Sequence, residues 1–147
     1  MRAVIQRTGP ATLSVDGKVV SHIESGLVVF VAICKGDTEA QADYLGRKLT
    51  KIRVFADDNG KMNLSVKDVG QEILLVSQFC LSGTLGKGTG NRPDFLNAED
   101  PARARILYER IRDDIMNEGV PVQTGVFGAH MIIQQEQIGP LTFVFEC

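Results

Sequence analysis

The 147-residue sequence predicts an α+β fold: antiparallel and mixed β-sheets, barrel-like, with two main helices in a single domain spanning residues 1–147. Three observations lead there. Apolar segments of strand length, punctuated by turn residues, recur along the whole chain. Only two segments carry apolar residues at helical spacing. Those two are isolated between strand segments rather than alternating with them, and the length suffices to bury a core without disulfides or metal.

The elements follow in order. "MRAVIQRT" reads as a strand, and "ATLSVDGKVVSHI" as a hairpin turning at Asp16-Gly17, a pair suited to a type I′ connection. "LVVFVAI", Leu27 to Ile33, is continuously apolar and predicts a strand buried on both faces. Thr38-x-x-Gln41 has capping-box spacing, so a helix starts there with Ala42, Leu45, Leu49 and Ile52 on its core face. "DDNGK", Asp57 to Lys61, is a turn, and "EILLVSQF", Glu72 to Phe79, is a second buried strand. Ser82 to Asn97 holds four glycines and a proline and predicts a long functional loop. Asp100-Pro101 pairs an N-cap with a first-turn proline, opening a helix that turns Leu107, Tyr108, Ile111 and Ile115 inward and stops at Gly119. "VQTGVF", "HMIIQQ" and "LTFVFE" complete the chain as strands.

Composition narrows the function. Net charge is −2, from 16 basic and 18 acidic side chains with no block of like charge, which argues against a broad phosphate-tracking surface. Lys61, Lys67, Lys87 and Arg92 remain able to supply local positive potential to a protein that grips only the tip of a nucleic acid. No apolar run approaches the roughly 20 residues of a membrane span, and "MRAVIQRTGPATLSV" lacks the apolar core of a secretory signal, so a cytoplasmic protein is expected. Cys34, Cys80 and Cys147 are odd in number and widely spaced, consistent with a reducing compartment and with no structural zinc site.

Side-chain chemistry is sparse. The Gly86-Lys87-Gly88 stretch is not a phosphate loop, because Lys87 precedes glycine rather than Ser or Thr and Leu81 stands at the upstream glycine position. Cys80 follows a buried strand, yet a thiol nucleophile wants a histidine, and neither His22 nor His130 is local to it. Ser77 sits in no nucleophile elbow, and two histidines make no metal site; no cofactor and no metal are expected. An enzyme built this way relies on backbone amides, positioning and its own substrate.

The stretch "QIGPLTF", Gln137 to Phe143, places Gly139-Pro140 at the mouth of a strand, where both residues are poor formers. Two readings stand: a hairpin turn, or a special backbone geometry such as a cis bond that a ligand meets.

"SQFCL" at Ser77 to Leu81, "TGVFGAHM" at Thr124 to Met131 and "IGPLTF" at Ile138 to Phe143, together with "MRAVIQR" and "NRPDF", resemble the D-aminoacyl-tRNA deacylases, also called D-tyrosyl-tRNA deacylases, over essentially the full length. The resemblance implies a cytosolic homodimer that hydrolyses the ester joining a D-amino acid, or glycine, to the terminal adenosine of tRNA. It implies catalysis assisted by the ribose 2′-hydroxyl, without a covalent protein nucleophile. Ser77, Gln78, Phe79 and Cys80 would line the ester, with backbone N–H groups near Phe79 and Cys80 facing the oxyanion. Phe127, Gly128, Ala129 and Met131 would line the adenosine pocket. Gly139-Pro140 would be a Gly-cisPro element reaching into the partner subunit's site to exclude L-amino acids, held by Arg7.

The chain departs from that family's pattern at Cys80, usually threonine, at Gln137, commonly asparagine, at His130, often aspartate, and at Leu141, often valine. The loss of a hydroxyl at Cys80 weakens any role for that side chain and leaves a backbone mechanism untouched. The "GKGTGNRPDF" loop carries one basic residue fewer than many relatives, which bears on phosphate contacts there. Two alternatives remain: a thiol-dependent esterase using Cys80, and a non-catalytic module binding tRNA ends or a replication factor.

Overall fold

The computed structural model describes residues 1–86 and 90–147. Lys87 and Gly88, singled out above, lie outside the described residues. The elements are β1 (Arg2–Val15), β2 (Lys18–Ile23), β3 (Gly26–Ala32), α1 (Glu39–Lys51), β4 (Arg53–Ala56), β5 (Met62–Ser65), β6 (Glu72–Ser77), a 3-10 turn (Phe79–Ser82), α2 (Pro101–Asn117), β7 (Val122–Thr124) and β8 (Ile132–Glu146).

The main sheet runs β2-β1-β3-β6-β7, with β8 also paired to β1. β3, β6 and β7 run parallel to one another and the remaining pairs are antiparallel, so the sheet is mixed as expected. The Ser21 hydroxyl donates to the Thr124 carbonyl at 2.6 Å, bringing β2 round to β7 and nearly closing the barrel. At the β1–β2 hairpin Asp16 and Gly17 take φ of 50° and 75°, the two positive values a type I′ turn demands. Gly26, at φ +143°, is compulsory for a second reason: a Cβ there would lie 1.9 Å from the Glu72 carbonyl oxygen of β6.

The continuous apolar runs resolve into two alternating faces. Leu27, Val29, Ile73 and Leu75 point into a cluster shared with both helices, whereas Val28, Leu74 and Val76 join Leu13 and Ile23 in a second cluster. The α1 capping box is formed: Thr38 Oγ1 accepts from the Gln41 N–H and the Gln41 side chain accepts from the Thr38 N–H. Asp100 caps α2 by accepting from the Ala102 N–H at 3.0 Å. Both helices bury the expected faces, and Ile52 becomes the half-buried C-cap of α1. A small β4–β5 hairpin, not anticipated, brackets the Asp57–Lys61 turn.

The C-terminal region differs from expectation. "VQTGVF" is strand only over Val122–Thr124, and "HMIIQQ" and "LTFVFE" are not two strands: from Ile132 onward both belong to one, β8, and Gly139-Pro140 lies inside it rather than in a hairpin turn. Thr8 pairs with Gln137 and Gln6 with Thr142, so Arg7 alone opposes the excursion from Ile138 to Leu141. Across the next irregularity Gly9-Pro10 opposes Glu136. Both prolines of this strand pair therefore sit where the ladder is already interrupted, and neither costs a hydrogen bond. The expected cis bond is also corrected: there is no cis peptide among the described residues, and Gly139-Pro140 is trans. Trans is the lower-energy isomer of an X-Pro bond by about 0.5–1 kcal/mol, and the extra residues together with φ +120° at Gly139 already turn the chain.

Candidate active site

β6 ends at Ser77, and the chain immediately tightens into the 3-10 turn. The Gln78 N–H donates to the Val31 carbonyl at 2.8 Å, the buried Ser82 hydroxyl to the Phe79 carbonyl at 2.6 Å, and Arg2 Nη1 to the Leu81 carbonyl at 3.0 Å. The segment is thus tied to β3 and β1 and closed by a bond of its own. A short helix leaves its first N–H groups without intrahelical acceptors. Here those are the N–H groups of Phe79 and Cys80, which make no hydrogen bond to the described residues.

A cavity of about 390 Å³ brings Ser77, Gln78 and Phe79 together with Phe127, Gly128, Ala129, His130 and Met131. Two of the motifs singled out in the sequence, about fifty residues apart, therefore form one site. Tyr108 of α2 is also part of its lining. Its hydroxyl is buried, which pushes its pKa up, and it donates to the Leu75 carbonyl at 2.7 Å. Its ring meets Phe127 at 5.9 Å between centroids. Sequence reasoning placed Tyr108 only on the core face of a helix; a lone hydroxyl among aliphatic core positions was the available signal.

Cys80 is exposed and outside this lining. His22 is engaged with Thr12 Oγ1 at 2.8 Å and Glu24 at 2.9 Å, and no hydrogen bond among the described residues joins Cys80 to a histidine. Among these residues no group of three or more His, Cys, Asp or Glu is arranged to hold a metal ion. Of the basic residues noted above, Lys67 is drawn 4.0 Å from Glu118, while Lys61 and Arg92 are exposed.

Gly139 and Pro140 lie elsewhere. With Arg7, Met62, Leu141 and Phe143 they line an open depression that shares no residue with the cavity. Arg7 belongs with them rather than with the adenosine-pocket group. Its Nη1 donates to the Val54 carbonyl at 2.7 Å, and Nη2 would lie 3.0 Å from a Cβ built on Gly139.

A mixed, nearly closed sheet with two helices carries a cavity beside unpaired backbone donors, and among the described residues no hydrogen bond joins Ser77 or Cys80 to a histidine, an arrangement suited to an enzyme that works by positioning its substrate. Comparison with known proteins is more specific. The family model for D-Tyr-tRNA(Tyr) deacylase matches residues 4–146. The D-aminoacyl-tRNA deacylase of Persephonella marina is 49% identical over 146 residues, covering 99% of this chain and 97% of that protein. That of Aquifex aeolicus is 47% identical over 146 residues, covering 99% and 97%. A solved structure described as c-Myc DNA Unwinding Element Binding Protein matches with TM-score 0.92 and 35% identity over 100% of this chain and 99% of that one. A probable eukaryotic D-amino acid tRNA deacylase shares the fold at TM-score 0.84 and 18% identity, covering 98% and 97%. The chain belongs to the D-Tyr-tRNA(Tyr) deacylase family.

Proposed function

We propose that this protein hydrolyses the ester joining a D-amino acid to the terminal adenosine of tRNA. What supports this most is that Ser77–Phe79 and Phe127–Met131 line one cavity, with the unpaired N–H groups of Phe79 and, just beyond the lining, Cys80 at its edge. The adenosine occupies the Phe127–Met131 side and the ester lies against the 3-10 turn. Water adds to the ester carbonyl, the Phe79 and Cys80 N–H groups receive the oxyanion, and the C–O bond to the ribose breaks, leaving the free amino acid and tRNA. The ribose 2′-hydroxyl manages the proton, so neither Cys80 nor a histidine is consumed.

Selectivity is assigned to a second copy of the chain. Phe143 and Val144 on β8 are 42% and 73% exposed, one on each side of the strand, leaving apolar surface suited to self-association. Gly139-Pro140 is exposed on the same strand and takes no part in its own cavity lining. In a homodimer it reaches the partner's cavity, where main chain crowds the L side-chain direction. Glycine, lacking a side chain, passes. No described helix is long and apolar enough to cross a membrane, and the reading places the protein in the cytoplasm with its tRNA substrate.

Incubation with D-tyrosyl-tRNA and L-tyrosyl-tRNA tests this. Release of D-tyrosine with the L ester near background is expected; equal cleavage of both, or of neither, overturns it. The second reading, a nucleic-acid-binding module without catalysis, draws on the 35%-identical relative's description and predicts cleavage of neither ester.

A further inference from the structure

Phe79 has two properties that rarely coincide. It lines the cavity, and 59% of it is exposed. Its ring is nonetheless fixed in place, since Phe95 meets it edge-on at 5.1 Å between centroids and 60° between planes. Gly83 makes room for that brace: a Cβ there would fall 2.8 Å from Phe95 Cε1. Phe95 is itself anchored on both sides. Thr84 and Asp94 exchange both backbone hydrogen bonds, at 2.8 and 3.0 Å, and the Lys35 N–H donates to the Asn97 carbonyl at 2.8 Å. Beyond Phe95, Leu96 is 74% exposed. The result is a rigid aromatic face at the rim of the cavity.

We propose that the exposed face of Phe79, braced by Phe95, is a stacking platform for the base of the nucleotide preceding the terminal adenosine of tRNA. This rests on the deacylase reading. With the adenosine inside the cavity, the single-stranded RNA leaves over its rim, and unpaired bases are held by aromatic faces regardless of their identity. The absence of a basic block in a chain of net charge −2 makes stacking, rather than phosphate contact, the larger source of grip beyond the adenosine.

The test compares kcat/KM on D-tyrosyl-tRNA with kcat/KM on the D-tyrosyl ester of adenosine, which lacks the preceding nucleotide. The wild type should prefer tRNA. Phe79→Leu and Phe95→Leu should each reduce that preference about tenfold, chiefly by raising KM for tRNA, whereas Phe79→Trp, which keeps a π-face, should preserve it. Should a leucine variant fail to fold, the tryptophan variant carries the test, and loss of the preference in it overturns the platform. Equal losses on both esters, an unchanged preference, or dissociation of the oligomer on Phe79→Leu also overturn it, the last by showing that a second copy covers the ring. A wild type inactive on both esters defeats the deacylase reading and the platform with it.

Discussion

The Tyr108 hydroxyl donates to the Leu75 carbonyl at 2.7 Å, and the same oxygen accepts the Gly125 N–H at 3.1 Å. Three elements meet at that oxygen: α2, β6 two residues before Ser77, and the turn leading to Phe127. Through this one main-chain atom α2 is tied to both walls of the cavity, which the β6–β7 pairing also joins.

Tyr108→Phe removes one of its two donors and leaves the ring in place. A loss of about 1 kcal/mol in stability is expected. In kinetics at a temperature where the variant is fully folded, kcat on D-tyrosyl-tRNA should fall severalfold with KM little changed, because the oxyanion donors shift relative to the bound ester. A lower Tm with unaltered kcat would reduce the bond to a stability role.

Gly139→Ala should be damaging. The residue sits at φ +120°, where L side chains are strained by about 1–3 kcal/mol, and its Cβ would press on Arg7 Nη2 at 3.0 Å. If Gly139-Pro140 serves the neighbouring subunit, Gly139→Ala and Gln78→Ala should complement when co-refolded. The hybrid pairs an intact cavity on one chain with an intact Gly139-Pro140 on the other. Deacylase assays of the mixture should recover activity that neither variant has alone; no recovery contradicts the cross-subunit arrangement.

Between the helices, Asp43 binds Arg110 and is held below the usual carboxylate range chiefly by that bond. Asp114 is pushed up, first by burial and then by the charge of Asp43, despite Arg47 and Arg110 nearby, and its Oδ2 has no hydrogen-bond partner among the described residues. A raised acid pKa means the folded state holds the proton more tightly. The stability it contributes is fully present below the unfolded value of about 3.9 and is lost as pH rises through the folded pKa. Asp114→Asn should therefore raise Tm at pH 7, and the gain should shrink as pH falls and vanish below the unfolded value of about 3.9. Asp43 has the opposite sign, its contribution being lost as pH falls through its lowered pKa. Melting curves across this range check both.

Cys80→Ala keeps the backbone N–H and should retain most deacylase activity. A loss of several thousandfold in a folded variant would put the thiol mechanism first.

What was legible in the sequence was local. Thr38-x-x-Gln41, Asp100-Pro101 and Asp16-Gly17 write their hydrogen bonds or dihedral angles within a few residues, and the Leu27–Ile33 run needs only its own composition to indicate burial on both faces. Gly139-Pro140 was misread because its setting depends on register with Arg7, more than a hundred residues away; only pairing on both sides of the excursion shows that β8 continues through it. The cavity walls were named through family likeness, since no spacing connects Ser77 to Phe127. Tyr108 and Phe95 act through contacts to distant backbone and rings, which periodicity does not encode.

If backbone donors and the substrate's own hydroxyl suffice for the chemistry, hydrolysis depends on the ribose 2′-hydroxyl. Single-turnover hydrolysis of D-tyrosyl-tRNA ending in 2′-deoxyadenosine, measured beside the natural ribose form at saturating protein, isolates that group. The deoxy substrate should bind yet be cleaved at least about a thousandfold more slowly, as expected when the acid–base group is removed from the transition state. An undiminished rate would show that a side chain of the protein moves the proton instead.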